Sequence, residues 1–179
     1  MATATLISVA EYLATSYRPD CDYIDGEIQE RNLGTRPHSQ LQFLLAKWFD
    51  QHFDTLGCSA LPEQRVRVTP GRFRIADVCV VPADNSDAFI IETTPLACIE
   101  VLSPEDRLSR IQDRIDDYTA MGVPNIWVVD PLDHAAWVAN GRALQPVSTP
   151  ELPVIGTPLV LNLTTLFAEL DRRLHPTQR

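Results

Sequence analysis

The segment spanning residues 96–130 constrains the fold of this chain more than any other. Residues 96–102 and 125–130 are almost continuously apolar, the pattern of strands buried on both faces. Between them, Leu108, Ile111, Ile115 and Tyr118 recur at helical spacing over residues 104–121. Gly122 followed by Pro124 is a strong helix stop. Strand, helix, strand at this spacing predicts a right-handed parallel crossover.

The remaining segments assemble around that unit. Ser8 and Glu11 have capping-box form and start a short helix ending near Tyr17. Residues 21–32 alternate about Asp25-Gly26 as a hairpin or a bent strand pair. Leu41, Leu44, Leu45, Trp48, Phe49 and Phe53 form one apolar stripe, predicting a long helix over 37–56 with Gly57 as its stop. Strands follow at 59–69 and 73–81, turning at Pro70-Gly71, and then a polar loop at 83–94. Residues 135–139 and 143–147 suit a hairpin about Asn140-Gly141, and 163–174 an amphipathic helix. The expected fold is α/β, a central mixed β-sheet flanked by helices, in a single domain over 1–179.

Composition narrows the function. No apolar run reaches the about 20 residues that a membrane helix needs, and the N-terminus lacks the basic start of a signal peptide, so a cytoplasmic protein is expected. Cys21, Cys58, Cys79 and Cys98 form no CxxC pair, which points to reduced, structural thiols. The net charge of −9 argues against strong nonspecific DNA binding. Lys47 is the single lysine.

Two charges stand out because they interrupt apolar strands, where a lone carboxylate is costly unless paired or metal-bound. Asp77 precedes Val78-Cys-Val-Val81, and Glu100 sits inside Ala97-Cys-Ile-Glu-Val101. On neighbouring strands the two could share a hard cation. Alternatively, each could pair with an arginine such as Arg72 or Arg74. Gln64, on the preceding strand, could offer a supporting amide, although an exposed polar residue is the simpler reading.

In order and spacing, several pieces resemble the Uma-two family, a branch of the PD-(D/E)XK nuclease superfamily. They are Ala10-Glu-Tyr12, Tyr23-Ile-Asp-Gly-Glu27, His38, Ile75-Ala-Asp77-Val-Cys-Val-Val81, Ile99-Glu100-Val-Leu-Ser-Pro104 and residues 118–131. The resemblance implies a restriction-endonuclease-like fold with Asp77 and Glu100 as ligands of Mg²⁺ or Mn²⁺ and Glu27 near the same site. It also implies a lysine two residues after the second acid, where this chain has Leu102, or on the following helix, where it has Arg114. Arg110, Arg114 and Tyr118 are spaced to share one helix face, and an arginine can bind phosphate but is a poor general base. His38 could shuttle a proton or be a partly exposed residue of a first helical turn.

The function so implied is a Mg²⁺-dependent endonuclease cutting DNA, with Asp77, Glu100, Glu27 and Arg114 as its catalytic set. Cutting both strands would call for a homodimer. The alternative is a nuclease-fold protein of little or no activity that serves as a binding or assembly module.

Overall fold

The computed structural model describes residues 6–32, 34–83 and 89–176. Helix α1 (Val9–Ala14) starts as expected, with the Ser8 side chain accepting from the Glu11 N–H. Strands β1 (Cys21–Ile24) and β2 (Glu27–Glu30) form the predicted hairpin. Asp25 (φ 51°) and Gly26 (φ 102°) both take the positive φ that such a tight turn requires.

The first long helix is shorter than its apolar stripe suggested. Helix α2 covers Arg36–Asp50, with Thr35 as its cap, and α3 (Phe53–Leu56) is a separate turn ended by the left-handed Gly57. Strands β3 (Cys58–Thr69), β4 (Arg72–Pro82) and β5 (Ala97–Val101) follow, then α4 (Leu108–Met121). Helix α4 starts four residues later than expected, because Ser103 to Arg107 form a turn in which Asp106 accepts the Ser103 N–H. Next come β6 (Asn125–Asp130), β7 (Ala135–Asn140) and β8 (Ala143–Pro146). Gly141 and Arg142 form the β7–β8 turn, one residue beyond the predicted centre. A two-stranded ribbon, β9 (Glu151–Pro153) with β10 (Val160–Asn162), was not foreseen, and α5 (Leu163–Leu174) closes the described chain.

The mixed sheet runs β2-β1-β4-β5-β6-β7-β8, with β3 also paired to β4. Strands β5 and β6 are parallel, as the crossover demands, and the other pairs are antiparallel. One face packs on α2 and α5 through Leu41, Leu45, Phe49, Val78, Ile99, Trp127 and Leu170. The other packs on α4 through Ala76, Cys79, Cys98, Ile111, Ile115 and Val128. All four cysteines are buried. Among the described residues, no helix is long and apolar enough to cross a membrane.

One interruption positions everything that follows. Strand β3 lines one edge of β4, while β1 and β5 share the other. The β1 ladder reaches β4 only at Arg72 and Phe73, and the β5 ladder only at Val78 to Val80. Each stops one pair short of two charged residues: Asp22 facing Arg74 on one side, Glu100 facing Asp77 on the other. The sheet is thus split along Arg74–Asp77. Its alternation slips here too, since Ala76 and Cys79 both pack on the α4 side while Val78 packs opposite. Across from Asp77, Glu63 takes φ 51°, a conformation rare for a residue with a side chain.

Candidate active site

Side chains fill the split where backbone pairing is missing. Asp22 Oδ1 accepts the Ile75 N–H at 3.0 Å from the β1 side. Asp77 Oδ2 accepts the Val101 N–H at 2.7 Å toward β5. Both amides would otherwise be buried without a partner, so each carboxylate substitutes for a missing strand.

Around Asp77 and Glu100 the donors are specific. Arg31, just beyond β2, binds Asp77 Oδ1, and His38 Nε2 lies 3.3 Å from Asp77 Oδ2. Gln42 donates to the Asp77 carbonyl at 2.9 Å. Arg114 Nη1 binds Glu100 Oε2, and the Tyr118 hydroxyl donates to Glu100 Oε1 at 2.7 Å. Arg114 and Tyr118 stand one helical turn apart on α4, and Asp117 beside them takes Arg74 and Arg72. Arg74, 1% exposed, also reaches Asp22 and Gln29.

The arginine pairing that was one reading of Asp77 and Glu100 is therefore present, but through Arg31 and Arg114. Arg72 and Arg74 serve Asp22, Asp25 and Asp117 instead. Of the residues singled out from sequence, Asp77, Glu100, Arg114 and His38 come together. Glu27 does not: it is exposed at the start of β2, and Asp22 is the hairpin carboxylate that reaches the split. Gln64 bonds the Phe89 carbonyl, and Arg110 is exposed with a 3.3 Å contact to the Glu30 carbonyl. Asp117, within the acidic run of α4, is buried. Arg31 and Asp22 were missed.

Burial pushes the Asp77 carboxyl up, but the His38 hydrogen bond and the charge of Arg31 outweigh it and hold Asp77 below the ordinary range. Burial also pushes Glu100 up, and there it prevails against Arg114, leaving Glu100 raised. The two carboxylates are thus unequal: Asp77 is firmly ionised and Glu100 takes up a proton more readily. Burial disfavours charge on His38, yet its bond to Asp77 leaves the imidazole raised above its usual value.

A pH dependence follows. The His38–Asp77 pair should stabilise the fold fully between about pH 4 and about pH 6.5, and lose its effect as pH rises through the raised value of His38 or falls through the lowered value of Asp77. Urea denaturation of wild type should show this decline above neutrality, and His38→Asn should flatten it. An unchanged slope in the variant would contradict the pairing.

Asp77, Glu100, Arg31, Arg114 and His38 line a cavity of about 460 Å³. Its walls carry five carboxylates (Asp20, Glu63, Asp77, Glu100, Asp106) against three guanidiniums (Arg18, Arg31, Arg114). Carboxylates thus outnumber guanidiniums by two, with His38, whose imidazole is raised, as a further group able to carry positive charge. Two buried polar atoms on the wall, His38 Nδ1 and Arg31 Nε, have no hydrogen-bond partner among the described residues. Hard carboxylate oxygens suit Mg²⁺ or Mn²⁺. Among the described residues no cluster of three or more metal-ligating side chains forms, so Asp77 and Glu100 would share the ion with water.

The family model Uma2, described as "Putative restriction endonuclease", matches residues 9–169. A crystal structure of "a putative nuclease belonging to DUF820 from Anabaena variabilis ATCC 29413" aligns with a TM-score of 0.79 at 21% identity, covering 92% of this chain and 99% of that one. This likeness shows that the two chains share a fold. A cryoEM structure of a DrdV–DNA complex aligns with a TM-score of 0.37 at 17% identity, over 77% of this chain and 11% of that one, and carries no weight here. No curated protein matches the chain.

Proposed function

The chain belongs to the Uma2 family, and on that premise we propose that its cavity hydrolyses phosphodiester bonds of DNA with a divalent cation held by Asp77 and Glu100. The observation that carries this reading is the pair of buried carboxylates, one from each side of the fork between β4 and β5, on the wall of a cavity richer in carboxylates than in guanidiniums. When bound, Mg²⁺ or Mn²⁺ would supply charge neutralisation at the phosphate and a more acidic water.

The protein's own groups do the rest. His38 and the Val101 N–H hold Asp77, and Tyr118 fixes one oxygen of Glu100. Arg31 and Arg114 are permanent cations placed to turn from carboxylate to phosphate oxygens as charge builds there. Leu102, two residues past Glu100, is half-buried against the α4-side core and contributes no charge. The chain's net charge of −9 makes affinity for DNA depend on the ion and these arginines. A homodimer, giving two sites for two strands, belongs to the same proposal.

A specific observation favours the rival reading of a binding or assembly module: all four oxygens of Asp77 and Glu100 already accept protein donors. Thermal unfolding separates the two. Mn²⁺ at 100 times its Kd should raise the wild-type midpoint by about 5–10 °C, and leave Asp77→Ala unmoved. A wild type indifferent to both Mn²⁺ and Mg²⁺ would leave the module reading.

A further inference from the structure

Arg114 does not belong to Glu100 alone. Its Nη1 binds Glu100 Oε2, while its Nη2 lies 3.2 Å from Asp22 Oδ2. The guanidinium therefore spans the split in the sheet, from the first residue of β1 past its β4 ladder to the first residue of β5 past its own. Asp22 is fully buried, and its other contacts are to fixed groups: the Ile75 N–H at 3.0 Å and Arg74 at 3.1 Å. Arg74 is itself held by Asp117 and Gln29. Asp22 is thus an immobile anchor, and Arg114, at the cavity wall, is the group it anchors.

This arrangement resolves a difficulty in the metal reading. A cation held by Glu100 would compete with Arg114 for that carboxylate, and a buried guanidinium left with no carboxylate is costly. A second carboxylate on the opposite side removes that cost. We infer that Asp22 is a positioning residue that retains Arg114 in the cavity when Glu100 changes partner, so that Nη1 is freed toward a phosphate oxygen while Nη2 stays held. The inference rests on the proposed phosphodiester site. It names the ligand of Arg114 as a phosphate oxyanion and assigns Asp22 no contact with substrate.

The test is calorimetric titration with inorganic phosphate, with and without saturating Mn²⁺, on wild type, Asp22→Asn, Arg114→Gln and the double variant. Asparagine keeps the acceptor for the Ile75 N–H and removes the charge. Asp22→Asn should weaken phosphate binding by about tenfold, the effect of one charge-assisted hydrogen bond, with Mn²⁺ affinity changed much less. In the Arg114→Gln background the same change should add nothing, because Asp22 acts through Arg114. Equal phosphate affinity in wild type and Asp22→Asn, additive losses in the double variant, or no phosphate binding by wild type would each overturn the inference. Failure of Mn²⁺ to bind wild type is a separate result, counting against the metal reading alone if phosphate still binds and responds to Asp22.

Should Asp22→Asn not fold, arginine side-chain NMR of wild type decides. The Nη signals of Arg114, identified by their loss in Arg114→Gln, should stay distinct on adding Mg²⁺, as hindered rotation requires. Their merging would mean that the guanidinium has left Asp22, and the inference would fall.

Discussion

Arg74→Met is expected to destabilise the fold by about 3–5 kcal/mol, the cost of removing one partner from a buried ion network. Arg74 is 1% exposed and donates to Asp22, Asp117 and Gln29 from the middle of the split in the sheet. Methionine fills much of the volume but leaves the Asp22 and Asp117 carboxylates without their shared cation. Arg114 and Arg72 still reach one each, at 3.2 and 3.0 Å, so the loss stays near the lower end of that range. Chemical denaturation monitored by circular dichroism measures it. A loss under about 1 kcal/mol would mean that these neighbours suffice and the network is redundant. Adding Asp117→Leu should recover part of the loss, since a matched apolar pair often equals a buried ionic one.

Asp77→Asn is expected to lower divalent-dependent DNA cleavage by about a thousandfold, with the fold largely intact. Several kcal/mol of charge stabilisation are at stake when a carboxylate ligand is lost, which converts to roughly that factor. Asparagine preserves the carbonyl acceptor for the Val101 N–H, the bond that ties β4 to β5 at the fork. It gives up the charge that Arg31 and His38 face. Plasmid relaxation in Mn²⁺ reads the activity. Cleavage within tenfold of wild type would remove Asp77 from the catalytic set, whatever its effect on thermal stability.

The parts of the site legible in the sequence are those whose signal is local. Asp77 and Glu100 announce themselves as charges in apolar strands, and Arg114 and Tyr118 as one helix face following a recognisable crossover. Parallel pairing of β5 with β6 follows from the same crossover. Asp22 gives no such signal, because it sits in a short alternating hairpin where a polar residue usually faces water. Its burial depends on β4, far later in the chain, departing from β1 after two ladder pairs. Glu27 matches a family motif by position, yet its place beside the hairpin turn leaves it exposed. Arg31 lies outside any regular element, so no periodicity could aim it. Asp117 belongs to an acidic helix run and becomes visible only once Arg74 is known to be underneath. The β9–β10 ribbon, three residues a side, is shorter than any pattern can declare.

Two backbone amides at the split, Ile75 and Val101, are sealed by carboxylate oxygens rather than by a neighbouring strand. Their hydrogen exchange is therefore coupled to side-chain state, unlike that of Cys79 or Cys98 a few residues away in paired ladder. A ligand that turns Asp77 away from β5 would expose Val101 to exchange while Ile75 stayed protected, and disturbance of Asp22 would do the reverse. The split sheet thus carries its own pair of isotopic reporters, one for each half of the site, readable on the unlabelled wild-type protein before any substrate is known.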